Sequence, residues 1–404
     1  MKKVIALIAT LVIIVSLAGC GGQPAQKPAE PAKPAPAPAP QPAQPKDDVI
    51  KIGYTGPLSG DAAAWGQQEK MGITLAEEEI NAKGGVLGKK IQVVQYDDRG
   101  DKVEVVNVVR RLINQDNVVA IVGENMSSMS LAMAPVVEEA KVAAISTMAI
   151  HPSVTQPAPD QVRKYFFRVS FTSPVEGGGV AWAAGEKLKA KKVAVIYDVS
   201  QDYSKTLLGV FKEKFPKWGG QIVAEETIKG GEEDFKAILT RVKAKNPDLI
   251  ALTIYYKEAA LIIKQARDLG IKAPFVGGGG LDSDDFVKIG GKATEGTYIV
   301  THWSPEDPSP KNQEFRKAFK AKWNVEPDCN AAAAYDALYI IVDSIKRAGK
   351  ADREAVRDQI EATRDFPAVT GAITFDPKTH NPKLHPVLLQ VKDGKFAFIE
   401  ATKE

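Results

Sequence analysis

Apolar and polar positions fall into two alternating kinds of run. Short Val/Ile/Tyr-rich runs close on Gly, Pro or Asp, as in "VIKIGYTGPLSG" (49–60) and "IQVVQYDD" (91–98). Between them lie longer stretches with apolar residues at three- and four-residue spacing, the period of a helix with one buried face. This patterning predicts a strand from 49, a helix over 63–83, a strand from about 90, a helix over 102–115, a strand over 118–122, a helix over 130–140 and a strand over 142–146. A second series follows: "KKVAVIYD" (191–198), a helix over 203–216, "QIVAEETI" (221–228), a helix over 234–245, "PDLIALTIYY" (247–256), a helix over 257–269 and a strand over 273–276. Short connections and strand–helix alternation favour two doubly wound, parallel α/β sheets. The tail predicts helices over 311–323, 331–348 and 353–361, then "HPVLLQVKDGKFAFIE" (385–400) with an Asp-Gly turn. That is too little for a third block. It is best placed as completing both lobes, so that the chain crosses between them more than once.

The first twenty residues break this pattern. "MKKVIALIATLVIIVSLAGC" joins two lysines to an apolar core and small residues before Cys20, the make-up of a segment removed at export. Its ending "LAGC" resembles a bacterial lipobox, which implies cleavage before Cys20 and a lipid on its thiol. Residues 21–48, "GGQPAQKPAEPAKPAPAPAPQPAQPKDD", have no large apolar groups and a strong polyproline tendency, and so read as a stalk. The expected organisation is a signal peptide over 1–19, a lipidated Cys20 with linker over 20–47, a first lobe over 48–171 completed by 302–375, and a second lobe over 172–301 completed by 376–404.

Residues 48–404 exceed what one hydrophobic core usually serves. Without Lys2 and Lys3 the formal charge of +3 becomes +1, which gives no footprint for nucleic acid. With Cys20 lipidated, Cys329 has no intrachain disulfide partner. The histidines at 151, 302, 380 and 385 show no metal-ligand spacing. No metal or other cofactor is expected.

Catalytic motifs are missing where they would be sought. "GGGG" (277–280) lacks the lysine and hydroxyl of a phosphate loop, and "VGENMSSMS" (122–130) lacks the G-x-S-x-G elbow of a hydrolase. Asp97 and Asp98 read as strand-end caps, Glu77, Glu78 and Glu79 as solvated helix charge, and Met126, Met129, Leu131 and Met133 as packing. The cluster Ser127, Ser128 and Ser130 lies between an apolar strand and a helix. A hydroxyl there either caps the helix or, with free N–H groups, receives a carboxylate. Chemistry alone leaves both open for Ser128.

Several phrases, in order, extend over nearly all of 48–404: "IGYTGPLSG", "WGQQEKMGITLAEEEINAKGGVLGKKIQVVQYDD", "VVAIVGENMSSMS", "VAVIYDVSQDYSKTLLGVFK", "PDLIALTIYYKEAALIIKQARDLGIKAPFVGGGG", "ATEGTYIV" and "AAAAYDALYI". Together they resemble the leucine/isoleucine/valine-binding proteins, type I periplasmic solute-binding proteins of ABC importers. The resemblance implies a Venus flytrap: two α/β lobes joined by a three-stranded hinge, which close on a small solute and are presented to a permease. It places Ser128, beside Ser127, at the serine used for the ligand carboxylate, and Met148, Ala149 and Ile150 at backbone contacts. It also sets Tyr203 at a tyrosine that closes over the ligand, Tyr255 or Tyr256 at a second tyrosine, and Trp65 at an aromatic wall.

The chain departs from the pattern where the family holds an ammonium group. Ile150 replaces a threonine, Gly279 replaces an acid from the second lobe, and Asn330 flanks the side-chain pocket. A buried ammonium without acceptors is costly. The expected solute is therefore a small carboxylate, preferably an aromatic or apolar acid without an amine; amino-acid binding remains the alternative if an acid such as Glu124 or Asp202 compensates. A ligand sensor and an α/β enzyme are competing readings; no catalytic residue is assigned. The folded part is expected to be monomeric, extracytoplasmic and held by its lipid at the cell membrane or outer membrane.

Overall fold

The computed structural model describes residues 49–402, so the expected signal peptide, the lipidation of Cys20 and the whole proline-rich stalk lie outside the described residues. In the first lobe, β1 (Val49–Gly56), β2 (Lys90–Asp97), β3 (Ala120–Val122), β4 (Ala143–Ser146) and β5 (Phe166–Arg168) form an all-parallel sheet in the order β2-β1-β3-β4-β5. Helices α1 (Ala63–Ala82), α2 (Lys102–Asn114) and α3 (Ser127–Ala140) connect its strands. All residues of β3, β4 and β5 are buried, as helices on both faces of a parallel sheet require.

After β5 the chain enters the second lobe through α4 (Ser173–Trp182). There β6 (Lys192–Asp198), β7 (Gln221–Ile228), β8 (Leu249–Thr253), β9 (Phe275–Gly277) and β10 (Tyr298–Thr301) repeat the pattern, linked by α5 (Asp202–Lys214), α6 (Lys236–Ala244), α7 (Tyr256–Asp268) and α8 (Asp284–Gly290). The tail returns to the first lobe as α9 (Pro310–Trp323), α10 (Cys329–Ala348) and α11 (Arg353–Glu361), followed by the small ribbon β11 (Phe366–Ala368) and β12 (Gly371–Ile373). It then crosses back as β13 (Val387–Lys392) and β14 (Lys395–Ala401), both antiparallel, to give the order β14-β13-β10-β9-β8-β6-β7. The chain thus passes between the sheets after β5, after β10 and before β13.

Local chemistry explains the main features. The β13–β14 turn is Asp393-Gly394 with positive φ at both residues, 50° and 71°, the geometry a tight hairpin requires and an Asp-Gly pair supplies. In α1, Gly72 lets the backbone of Ala331 in α10 approach closely; a Cβ there would lie 3.0 Å from that residue's carbonyl carbon. Two differences from the sequence expectation bear on the site. Helix α3 begins at Ser127, three residues earlier than the apolar periodicity indicates, which puts all three serines in its first turn. Helix α4 is absent from the sequence reading because Gly177, Gly178 and Gly179 are poor helix formers. Those glycines serve packing: Cβ atoms at Gly177 and Gly179 would come within 2.7 Å of Val210 and 2.8 Å of Val300.

Candidate functional site

Both sheets have the strand order 2-1-3-4-5 in their parallel part, and in such sheets ligands lie beyond the carboxyl ends of the strands. The segments following those strand ends face one another. Together with the β5–α4 and β10–α9 crossings they line a narrow cavity of about 30 Å³: Trp65, Asn125, Met126, Ser127 and Met148 come from the first lobe, Glu176, Tyr203, Tyr255, Gly279 and Gly280 from the second, and His302 and Asn330 from the return segment.

The first-lobe wall is the N-terminus of α3. Met126 occupies the cap position without a side-chain cap, and the amides of a helix's first turn have no carbonyl of their own helix to bond. The Ser127 hydroxyl accepts from the His151 amide at 3.2 Å and can still donate. Ser130 and Ser146 both donate to the carbonyl of Glu124, at 2.9 and 2.7 Å, which fixes the loop before the helix. The carboxamide of Asn125 is buried beside the Glu69 carboxyl, whose rise it opposes. Amides, a hydroxyl and the positive end of the helix dipole make this wall suited to a carboxylate.

The facing wall is built on α4 and α5. Glu176 Oε1 accepts from the Tyr203 hydroxyl at 2.8 Å and from the Gly279 amide at 2.9 Å, and the Tyr203 oxygen accepts from the Gly280 amide at 3.0 Å. Glu176 Oε2 is buried without a partner. Burial pushes this carboxyl up to about 7, although its two donors pull the other way. His302 stacks on Phe171 at 3.7 Å, and both its ring nitrogens are buried and unpartnered. Burial, with Arg168 nearby, lowers it to about 3, so it is neutral. Trp65 meets Tyr255 and Tyr256 edge-on, both at 4.9 Å, while Tyr203 stacks on Tyr255 at 5.1 Å. These rings form an apolar side with large contact area.

Direct contacts bridge the lobes around this cavity. The Ser128 hydroxyl accepts from the Asp202 amide at 3.1 Å and lies 3.0 Å from the Asp202 carboxylate. A serine of α3 thereby caps α5, whose own cap residue, Gln201, makes no side-chain cap bond. Trp65 Nε1 donates to the carbonyl of Asp282 at 2.9 Å, and Tyr256 donates to that of Asp61 at 2.7 Å. Lys257 pairs with Asp61 at 2.6 Å and Lys102 with Asp202 at 3.4 Å.

Of the residues singled out from the sequence, Trp65, Ser127, Met148, Tyr203, Tyr255, Gly279 and Asn330 line the cavity. Ser128 lies in the lobe bridge, and Tyr256 stands behind Trp65. Ile150 packs with Phe171, Tyr203 and Leu207. Ala149 is buried, its carbonyl taken by Arg168 at 2.6 Å. Asn125, Met126, Glu176, Gly280 and His302 line the cavity without having been singled out as contacts. Glu124 is buried behind the wall, where burial and the nearby Asp98 and Glu69 raise its carboxyl well above the usual range. Among the described residues, no group of three or more His, Cys, Asp or Glu is placed to hold a metal ion.

Two α/β lobes with a cleft between their strand ends define a solute-binding protein of the flytrap class. The chain belongs to the periplasmic binding protein family, whose model matches residues 49–395. It is 30% identical over 331 residues to the leucine-, isoleucine-, valine-, threonine- and alanine-binding protein of Pseudomonas aeruginosa, covering 82% of this chain and 87% of that one. Among solved structures it is similar to a branched-chain amino acid transporter substrate-binding protein from Streptococcus pneumoniae in complex with isoleucine: TM-score 0.83, 35% identity, 88% of this chain and 100% of that one. A solute-binding protein of an ABC transporter from Rhodopseudomonas palustris in complex with 3,4-dihydroxybenzoic acid matches with a TM-score of 0.76 and 29% identity, over 88% and 97% of the two chains.

Proposed function

We propose that this protein is the extracytoplasmic solute-binding lipoprotein of an ABC importer and that it closes on a small carboxylate-bearing solute. The observation that carries the reading is the start of α3: Ser127 and Asn125 line the cavity beside the helix's uncapped first turn. The solute carboxylate is received there, while Trp65, Tyr203 and Tyr255 cover its apolar part. A cavity of about 30 Å³ holds only two or three waters, so a solute enters with the lobes apart and is enclosed as they swing together. Binding energy gained from both lobes is what favours the closed form. Cys20 anchors the chain through its lipid, the proline-rich segment provides reach, and the closed form docks on the permease.

Two solute classes fit this outline. Ile150 and Gly279 lack the polar groups that the family resemblance puts at an ammonium, which favours an aromatic or apolar acid without an amine, and a relative is seen with 3,4-dihydroxybenzoic acid. Amino-acid binding is favoured by a different observation, the free oxygen of Glu176. The carboxylate reading itself is tested by thermal shift with a panel of amino acids, aliphatic acids and benzoates against their methyl esters. Stabilisation by acids and not by the esters is expected. Equal stabilisation by acid and ester, or none by any acid, would refute it.

A further inference from the structure

We infer that Glu176 is the receptor for a cationic amine on the solute, an ammonium site rebuilt on α4, so that the preferred solute is a zwitterion and not a simple acid. The inference rests on the reading of Ser127 and the α3 N-terminus as the carboxylate site.

Three observations carry it. Glu176 lines the cavity, and its Oε2 is buried and unpartnered. A buried carboxylate oxygen without a donor is costly, and a solute ammonium satisfies it with a charge-assisted bond. The other oxygen is held by Tyr203 at 2.8 Å and Gly279 at 2.9 Å, which fixes the direction of the free one. Among the described residues no lysine or arginine lines the cavity, and His302 is neutral, so these walls offer no side-chain cation to Glu176. A simple acid would place a second negative charge within the same small space, or would bind only with Glu176 protonated. An α-amino acid brings its own cation and leaves the carboxylate to the helix terminus. The glycine run supports this use of α4. A Cβ at Gly278 would press on Glu176 Oε1 and come within 2.7 Å of the Tyr203 oxygen, so that corner is shaped around the carboxyl. Gly279 has a different surrounding: a Cβ there would meet only His302 and Thr301, each at 3.5 Å.

The titratable groups that line the cavity with Glu176 are Tyr203, Tyr255 and His302. Lys214 of α5 reaches the same helix from its outer side and donates to the carbonyl of Pro174 at 3.0 Å. With the Glu176 carboxyl at about 7, an ammonium expels its proton, so amine affinity rises with pH through neutrality. A simple acid needs the proton retained, and its affinity falls over the same range.

Calorimetry on the purified protein tests this with the twenty standard L-amino acids and their deaminated acids, such as leucine against 4-methylpentanoate and phenylalanine against 3-phenylpropanoate. The best amino acid should bind about tenfold or more tighter than its deaminated form, as expected for a charge-assisted contact. Glu176→Gln keeps an acceptor for Tyr203 and Gly279 and should remove that preference, weakening the amino acid and abolishing the fall in the deaminated acid's affinity with pH. If the variant does not fold, affinities of the unaltered protein between about pH 6 and 8 give the same reading, rising for the amine and falling for the acid. Deaminated acids binding as tightly as their amino acids, or amine affinity falling with pH, would overturn the ammonium site and leave the carboxylate site standing. No binding by any carboxylate would overturn both.

Discussion

Replacing Ser128 by Ala separates a contact between lobes from a contact with solute. In the closed form its hydroxyl accepts the Asp202 amide at 3.1 Å and donates to the Asp202 carboxylate at 3.0 Å. Losing a helix cap costs about 1 kcal/mol. The bond to the carboxylate adds a fraction of the usual charge-assisted value, because Asp202 is still 25% exposed and partly screened. The closed form should lose about 1–2 kcal/mol in total, which weakens apparent affinity about 5- to 30-fold. The loss applies to the closing equilibrium, so it should be the same factor for every solute that closes the lobes, whatever its head group. Ser127→Ala, by contrast, should weaken acids selectively. Calorimetry with at least two bound solutes of different shape gives both numbers, and a double-mutant cycle with Asp202→Ala should show coupling. Unchanged affinity in Ser128→Ala, or a loss that differs sharply between solutes, would refute the bridging role.

Further outcomes follow from the same geometry. Gly278→Ala should displace the Glu176–Tyr203 pair and reduce affinity strongly, whereas Gly279→Ala fits at ordinary contact distance and should keep both fold and binding; thermal shift and calorimetry on the two variants check this. Glu69 accepts from Tyr54 at 2.9 Å and from Thr147, and burial raises its carboxyl from 4.5 to about 8. A raised acid gives stability that is full below its unfolded value and lost as pH rises through the folded one. Between about pH 5 and 8 the melting temperature of Glu69→Gln should therefore lose less with rising pH than that of the unaltered protein, the difference between the two curves isolating Glu69 from the other shifted groups, Asp98, Glu176 and His302 among them. Cys20→Ser should release the expressed protein from the membrane fraction into the soluble extracytoplasmic fraction, which fractionation and blotting would show.

Long, strongly periodic elements were the most legible in the sequence. The helix over 353–361 ends where the pattern places it, and α1 and α10 are within a few residues, because each carries a continuous apolar face. Strands of three or four residues, such as β5 and β10, give too little periodicity to stand out. The apolar periodicity misplaces the start of α3 because its first turn is Ser-Ser-Met-Ser, polar by composition yet buried. The site divides in the same way. The serine cluster stands out by residue type, although the cavity takes Ser127 and the lobe bridge takes Ser128, whereas Trp65, Tyr203 and Tyr255 are placed only by the family resemblance. Glu176 is hidden in the sequence by the glycines that follow it, which weaken the helical signal and yet let the helix pack tightly. His302 offered only a lone imidazole at the end of a short strand, and its place beside Phe171 depends on a crossing that brings distant segments together.

Small-angle scattering on the protein, with and without a saturating amount of the most stabilising acid from the thermal-shift panel, tests closure most directly. The contacts from Ser128 to Asp202, Trp65 to Asp282 and Tyr256 to Asp61 join the lobes only when the cleft is shut. The radius of gyration should fall on saturation, and the scattering of the bound form should match the closed structure. Unchanged scattering under conditions where calorimetry shows full occupancy would contradict the account.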